Sequence, residues 1–144
     1  MPEGLDIRQA RRADHAVWLG MVLDYDADVA GLAGDAWSRI LGDDSGVVGL
    51  IATLDGEIAG FAHYVLHDFP FRAGPVCYLS DLYVRPEYRR LGIARALLNH
   101  LIDVCTHNNW ARLYWVTEHH NPIRPLYDEL GIAEFVRYHR DFYV

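Results

Sequence analysis

A glycine-centred turn rich in arginine is the first feature of this sequence that could do chemistry. Gly92 follows an apolar run ending at Val84 and opens an amphipathic segment. Four of the thirteen arginines surround this turn: Arg85, Arg89, Arg90 and Arg95. If a helix begins here, its first backbone N–H groups have no partner within the helix and lie at the positive end of its dipole. The turn therefore predicts an anion site that suits a phosphate.

The elements around this turn predict a mixed α/β fold. Apolar and β-branched runs indicate about six strands, over residues 5–8, 47–54, 58–66, 78–84, 111–117 and 134–144. Asp55-Gly56 joins the second and third of these in a tight hairpin. Helical periodicity predicts four helices. The first begins at Asp14 as its cap, the second ends at Gly42, and the others lie over 93–109 and 121–131. A strand, a helix and a strand in succession imply a parallel crossover, so we expect a twisted mixed sheet with helices on both faces.

Composition limits the classes of protein to which the chain can belong. Its 144 residues, 51% of them hydrophobic, suit a single domain over 1–144. It has no apolar run of membrane-spanning length and no signal-peptide pattern at its start, which favours a cytoplasmic protein without a membrane partner. The net charge of -7 disfavours nucleic acid and favours a cationic partner.

The cysteines and histidines do not form a metal-binding pattern. Cys77 and Cys105 are far apart in sequence, which indicates two buried thiols rather than a zinc or redox site. His119 and His120 are adjacent on a predicted strand end, where neighbouring side chains point to opposite faces, and no third ligand stands at a recognisable spacing. The sequence therefore predicts no metal.

Two segments together resemble a known family. Arg89-Arg90-Leu91-Gly92-Ile93-Ala94 lies between a predicted strand and helix, and Leu126-Tyr127-Asp128-Glu129-Leu130-Gly131 follows about thirty residues later. In this order they resemble the GNAT superfamily of acyl-CoA-dependent N-acetyltransferases, most strongly over residues 79–131. The resemblance implies the GNAT fold, acetyl-CoA as co-substrate, and no metal.

The resemblance also implies where coenzyme A binds. The pyrophosphate would lie on the amides of Arg90, Gly92, Ile93 and Ala94, with Arg89 at the first position of the motif. The pantetheine would pair with backbone groups that belong to Leu82 and Val84. Asn121 would contact the cofactor, although the interval from Asn121 to Tyr127 is one residue shorter than in many relatives, so His120 is the alternative.

Catalytic roles follow from the same resemblance. Tyr127 occupies the general-acid position, and tyrosine, whose ordinary pKa is about 10, can protonate a leaving thiolate at neutral pH. On periodicity alone, Tyr127 would be a half-buried aromatic residue of an amphipathic helix. Asp81 is the candidate base, acting directly or through water, while its alternative role is only to orient the substrate. Glu118 and His120 are the other candidate bases.

The function that these features imply is transfer of an acetyl group from acetyl-CoA to a primary amine by direct attack in a ternary complex. The acidic composition favours a small cationic amine, a polyamine or a lysine side chain, and the strands look most like the small-amine and histone-type branch. Asp24, Asp26 and Asp28 either attract this acceptor or form a solvated loop. Phe69 and Phe71 either line its site or fold inward.

Two other functions compete with this one. A noncatalytic domain of the same fold could bind acyl-CoA as a sensor or interaction partner. A nucleotide-phosphate site would predict a lysine in the phosphate loop, and the chain contains no lysine. A homodimer is common in the superfamily that the chain resembles.

Overall fold

The computed structural model describes residues 2–142, in which five strands and four α-helices occur. The elements, in chain order, are β1 (Leu5–Gln9), α1 (His15–Tyr25), α2 (Ala33–Leu41), β2 (Val47–Leu54), β3 (Glu57–His67), β4 (Val76–Val84), α3 (Ile93–His107), β5 (Arg112–Trp115) and α4 (Arg124–Leu130). The chain separates into two compact units, with the boundary between Tyr114 and Trp115. A single domain over 1–144 stays a prediction.

The five strands form one mixed sheet in the order β1-β2-β3-β4-β5. The first four are joined by antiparallel pairing. Asp55 and Gly56 both have positive φ, 51° and 85°, as a tight hairpin turn between β2 and β3 requires. The mixed α/β fold and this hairpin are therefore confirmed.

Helices cover both faces of the sheet in the first unit. On one face, Phe61 and Tyr83 pack against α1 and α2, whose buried residues include Trp18 and Trp37. On the other face, α3 buries an apolar stripe that comprises Ile93, Ala96, Leu97, Leu98, Leu101 and Cys105. Each large apolar side chain so buried contributes about 1.5–3 kcal/mol to stability. Together they fix α3 on the sheet to which β4 belongs.

Asp14 does not cap α1 with its side chain, contrary to the sequence prediction. Its carboxylate instead accepts two hydrogen bonds from Arg8, at 2.7 and 2.9 Å, and one from the backbone N–H of Arg11 at 2.7 Å. The carboxylate is thus committed to a bidentate, charge-assisted pair with Arg8, and Asp14 joins β1 to the start of α1.

The predicted last strand is also wrong within the described residues, because 134–142 have no regular secondary structure. Tyr143 and Val144 lie outside the described residues. Phe135 and Val136 are 85% and 78% exposed, so the burial that would stabilise a half-buried strand is missing. The sheet therefore has five strands rather than about six.

Helix α4 begins at Arg124, three residues after the predicted start. Asn121 makes a turn of its own, since its side-chain oxygen accepts a hydrogen bond from the N–H of Ile123 at 3.1 Å. Pro125 lies in the first turn and Gly131 caps the end, both as predicted. Within residues 2–142, no helix is long and apolar enough to cross a membrane.

Candidate functional site

The Gly92 turn has the backbone conformation of an anion-binding loop. Gly92 is the N-cap of α3 and adopts the left-handed conformation, with φ 82° and ψ 15°. Arg90 is also left-handed, with φ 63°, which is uncommon for a residue with a side chain. A Cβ atom at Gly92 would meet no protein atom within 4 Å, so the space beside the turn is open to a ligand.

The amides of this turn are available as donors. Among the hydrogen bonds of residues 2–142, none is donated by the N–H of Arg90, Gly92, Ile93 or Ala94, and the carbonyl of Gly92 accepts the bond from Ala96. Four unpaired donors at the positive end of a 15-residue helix suit a pyrophosphate group. The residues predicted to hold the phosphate groups of coenzyme A therefore fit that ligand.

Two of the arginines fix the turn to neighbouring strands. Arg89 donates through Nε to the carbonyl of Val84 at 2.8 Å, and its guanidinium lies 5.6 Å from the centre of the Tyr83 ring. Arg85 donates to the carbonyl of Ile58 at 2.9 Å. Arg89 thus ties the turn to β4 and Arg85 ties it to β3, while Arg89 and Arg90 are both exposed to solvent.

The backbone of β4 offers an open edge beside the turn. The N–H of Arg85 donates to the carbonyl of Ala59 at 2.8 Å, which sets the alternation of bonded and non-bonded pairs between β3 and β4. In this register Leu82 and Val84 exchange no hydrogen bonds with β3. Their N–H and C=O groups therefore point towards the opposite edge of β4.

Strand β5 does not extend along this edge as far as Leu82. The N–H of Ala111 donates to the carbonyl of Pro75 at 2.8 Å, and the rings of Tyr78 and Tyr114 stack 4.8 Å apart. Residue 114 is therefore level with residue 78, and β5 ends one residue later. Within the first unit, β5 therefore leaves the edge at Leu82 unpaired, as an extended ligand such as pantetheine requires, while the carbonyl of Val84 also accepts the hydrogen bond from Arg89.

Asp81 lies next to this edge at a β-bulge. Successive pairs of β3 and β4 join His63 to Asp81 and Tyr64 to Leu79, which leaves Ser80 as the extra residue. Asp81 Oδ2 is 3.0 Å from His63 Nδ1 and accepts a hydrogen bond from Ser80 Oγ at 2.9 Å. The Asp81 side chain is 31% exposed, so a substrate can reach it.

The surroundings of Asp81 keep it ionised. Burial opposes ionisation, but hydrogen bonds from His63, Ser80 and Tyr25 outweigh it and hold the pKa of Asp81 below its ordinary value. An ionised carboxylate attracts an ammonium group, which is the form that the predicted amine acceptor takes at neutral pH.

Aromatic and acidic residues from the end of α1 lie close to Asp81. The ring of Tyr25 packs edge-on against Phe61 and Tyr83, with centroids 5.8 and 6.2 Å away. The Tyr83 hydroxyl donates to Asp24; burial and this carboxylate raise the pKa of Tyr83 to about 12. Asp24 is thus bound to β4 and is not merely part of a solvated loop.

The loop between β3 and β4 presents aromatic rings to solvent. Phe69 is 43% and Phe71 is 93% exposed, so neither ring is folded inward. His67 Nε2 is 2.8 Å from the hydroxyl of Tyr114 at the base of this loop.

The second unit carries two of the predicted site residues. Tyr127 is half-buried on α4, edge-on to Trp115 at 5.5 Å, and burial raises the pKa of its hydroxyl, which is therefore protonated at neutral pH. The Asn121 amide nitrogen donates to Thr117 Oγ1 at 2.8 Å, so its side chain is engaged at both ends within its own turn. Glu118 and His120 are exposed.

Within residues 2–142, no three His, Cys, Asp or Glu side chains are grouped so that they could hold a metal ion. His119 and His120 lie in a turn beyond the end of β5, so their placement on a strand is wrong. Cys77 and Cys105 are free and buried, as predicted, and their mutual contact together with burial raises the pKa of Cys77.

Sequence reasoning missed three residues that hold Asp81. His63 and Tyr25 hydrogen-bond to it, and Trp18 hydrogen-bonds to His63. The alternation of β3 places His63 on the same face as Phe61, but nothing in the sequence pairs it with a residue 18 positions later. That contact depends on the register between β3 and β4, which the bulge at Ser80 shifts.

Comparisons with known proteins agree on a family. A model of the acetyltransferase (GNAT) family matches residues 7–132. The aminoglycoside N(6')-acetyltransferase type 1 of Stenotrophomonas maltophilia is 38% identical over 99 residues, which cover 64% of this chain and 61% of that protein. The thialysine N-epsilon-acetyltransferase of Caenorhabditis elegans is 31% identical over 96 residues, 66% of this chain and 59% of that protein. The chain thus spans about three fifths of the length of these curated relatives.

Solved structures extend the similarity over nearly the whole chain. The structure of AAC(6')-Iy in complex with the bisubstrate analogue CoA-S-monomethyl-acetylneamine has a TM-score of 0.80 and 25% identity, and the match covers 95% of this chain and 97% of that one. A possible acetyltransferase from Clostridium difficile 630 has a TM-score of 0.81 at 21% identity, with 99% of each chain covered.

Proposed function

The chain belongs to the acetyltransferase (GNAT) family, and on that premise we propose that it transfers an acetyl group from acetyl-CoA to a primary amine. The observation that carries the proposal is the set of four unpaired amides around Gly92, beside an edge of β4 that β5 leaves open. These two features suit the two ends of one ligand, a pyrophosphate and an amide-bearing chain.

Acetyl-CoA supplies the reactive thioester. The amides of Arg90, Gly92, Ile93 and Ala94 bind its pyrophosphate, Arg89 supports this turn, and the backbone of Leu82 and Val84 pairs with the pantetheine. Asn121 remains a proposed cofactor contact, although its local hydrogen bonds leave it less capacity for this role.

The chemical step needs a proton acceptor, a donor to the carbonyl oxygen and a proton donor to sulfur. Asp81 attracts the ammonium form of the acceptor and takes up one of its protons, directly or through water, so that the neutral amine can attack the thioester carbonyl. The second proton of the amine passes to solvent after the C–N bond has formed. A backbone N–H near Leu82 stabilises the charge that develops on oxygen. Tyr127 donates its proton to the thiolate when the C–S bond breaks.

The acceptor that we favour is a small cationic amine, a polyamine or a lysine side chain, as in the small-amine and histone-type branch. Three features support a cationic acceptor: the net charge of -7, the ionised Asp81, and the Asp24 carboxylate nearby. The relatives named above act on an aminoglycoside and on thialysine, both of which carry amines.

The test is calorimetric titration with acetyl-CoA, with ATP as the control ligand. We expect selective binding of acetyl-CoA and then release of free thiol when amines are added from a panel of polyamines, lysine peptides, aminoglycosides and amino acids. Because the chain contains no lysine, acetylation of its own lysine side chains cannot contribute to the signal. Binding without thiol release would favour the noncatalytic sensor, and binding of neither ligand would contradict the proposal.

A further inference from the structure

A buried chain of hydrogen bonds connects α1 to Asp81. Trp18, which is 1% exposed, donates through Nε1 to Nε2 of His63 at 2.9 Å. His63, which is 9% exposed, places Nδ1 3.0 Å from Oδ2 of Asp81. These three side chains come from three different elements, α1, β3 and β4, and meet at the bulge.

The direction of these hydrogen bonds follows from the chemistry of the first donor. An indole N–H can only donate, so Nε2 of His63 must accept and carries no proton. The single proton of the neutral ring is therefore on Nδ1, from which it is donated to Asp81. A second proton on Nε2 would face the Trp18 N–H, which already points at that nitrogen.

We propose that Trp18 and His63 are positioning residues that hold the Asp81 carboxylate, through one fixed tautomer of His63, in the orientation that receives the acceptor amine. This inference rests on the proposed function, because Asp81 is the residue on which both act. Neither side chain has to touch a substrate.

The bulge makes this arrangement specific. Ser80 Oγ donates to the same Asp81 oxygen at 2.9 Å and also lies 3.2 Å from the carbonyl of His63. With Oδ2 bound by two donors, the carboxylate cannot rotate without losing both. An orientation fixed in this way is the condition for efficient proton transfer and amine binding.

The other groups packed around His63 leave its Nδ1 directed at Asp81. On β3, the Phe61 ring stacks on His63 with centroids 4.6 Å apart. From α1, Tyr25 hydrogen-bonds to Asp81, and His15 stacks on Trp18 rather than on His63. On β4, the Tyr83 hydroxyl is committed to Asp24.

The first test is nitrogen-15 NMR of the histidine rings at neutral pH. We expect the His63 proton on Nδ1 in the wild-type protein and a mixture of both tautomers in Trp18→Phe. Trp37→Phe is the matched control: it perturbs the same aromatic cluster, with ring centroids 4.7 Å from Trp18, but should leave the His63 proton on Nδ1. A proton on Nε2 in the wild type would overturn the proposal whether or not any acetyl transfer is observed.

The second test is kinetic and uses three variants of His63 and Asp81. His63→Phe removes the donor, and we expect kcat to fall at least about tenfold with acetyl-CoA affinity unchanged. His63→Asn keeps an N–H donor near the Nδ1 position and should recover most of the lost rate. In an Asp81→Asn background, His63→Phe should have little further effect, because its partner is already absent.

The outcomes separate this inference from the proposed function. An equal loss from His63→Phe in both backgrounds would mean that His63 acts only on the fold, and would overturn the positioning role. A wild-type kcat in Asp81→Asn would show that Asp81 has no role in the reaction, and would likewise overturn the positioning role. Failure of the wild type to transfer acetyl groups would refute the proposed function, while NMR would still report the hydrogen bonds of His63.

Discussion

Tyr127, the proposed general acid, has a packed ring and a hydroxyl that stays protonated at neutral pH. Its ring is held edge-on to Trp115 and burial raises the pKa of its hydroxyl, so the hydroxyl is a proton donor throughout the neutral range. Replacing tyrosine by phenylalanine removes only the hydroxyl, and with it the ability to donate a proton.

Tyr127→Phe tests that oxygen. We expect kcat to fall by about 10²-fold, the low end of the range for general acid catalysis, while the Kd for acetyl-CoA changes little. Tyr138→Phe is the matched control, since Tyr138 is 92% exposed in the same unit. Steady-state kinetics and calorimetry measure the two quantities, and unchanged kcat would exclude Tyr127 as the acid.

The turn and helix from Arg89 to His107 act together as one element. The chain is left-handed at Arg90 and Gly92 before α3 begins, and a Cβ atom at Gly92 would point into open space. A residue with a side chain pays about 1–2 kcal/mol to adopt this conformation, which a glycine avoids. We therefore expect the same backbone feature to serve both folding and the proposed phosphate binding.

Gly92→Glu tests whether this turn binds a phosphate. The carboxylate would enter the space predicted for the pyrophosphate, so we expect binding of acetyl-CoA to be abolished. The free energy of unfolding should fall by about 1–2 kcal/mol because of the positive φ.

Gly56→Glu is the control for that strain. Gly56 also has positive φ, 85°, with no atom within 4 Å of a built Cβ, but it lies in the β2–β3 hairpin. We expect a similar loss of stability with normal binding of acetyl-CoA. Normal binding in Gly92→Glu would be evidence against the phosphate site.

Carboxylates make the stability of the folded chain depend on pH. Hydrogen bonds from Arg8 hold the pKa of Asp14 below its ordinary value, and the pKa of Asp81 is also lowered. Since the unfolded values are near 3.9, the stability that these groups contribute is fully present above about pH 5. It is lost as the pH falls through the lower folded-state values.

Asp14→Asn isolates one of these contributions. Its side chain is only 6% exposed and accepts from Arg8 twice, so we expect the variant to lose about 1–3 kcal/mol of unfolding free energy at pH 7. The difference from wild type should shrink below about pH 4. Urea unfolding at several pH values measures it, with the exposed Asp43→Asn as control. An equal difference at pH 7 and pH 3 would show that the ion pair is not its cause.

Local chemistry determined much of this protein before any tertiary structure was considered. The Asp55-Gly56 hairpin, the start of α3 at Gly92 and the end of α4 at Gly131 were predictable because turns and caps depend on the residues that form them. The strand and helix patterns gave the mixed α/β fold for the same reason. The prediction of the last strand was wrong because an alternating pattern shows only that a strand could bury one face. In the structure Phe135 and Val136 are exposed.

Only the tertiary structure decided how Asp81 is held. The hydrogen bonds from Trp18 to His63 and from His63 to Asp81 span 45 and 18 residues of sequence. They depend on the packing of α1 on the sheet and on a one-residue shift in strand register at Ser80. Such contacts are set by the summed packing of whole elements, so no local pattern of residues encodes them.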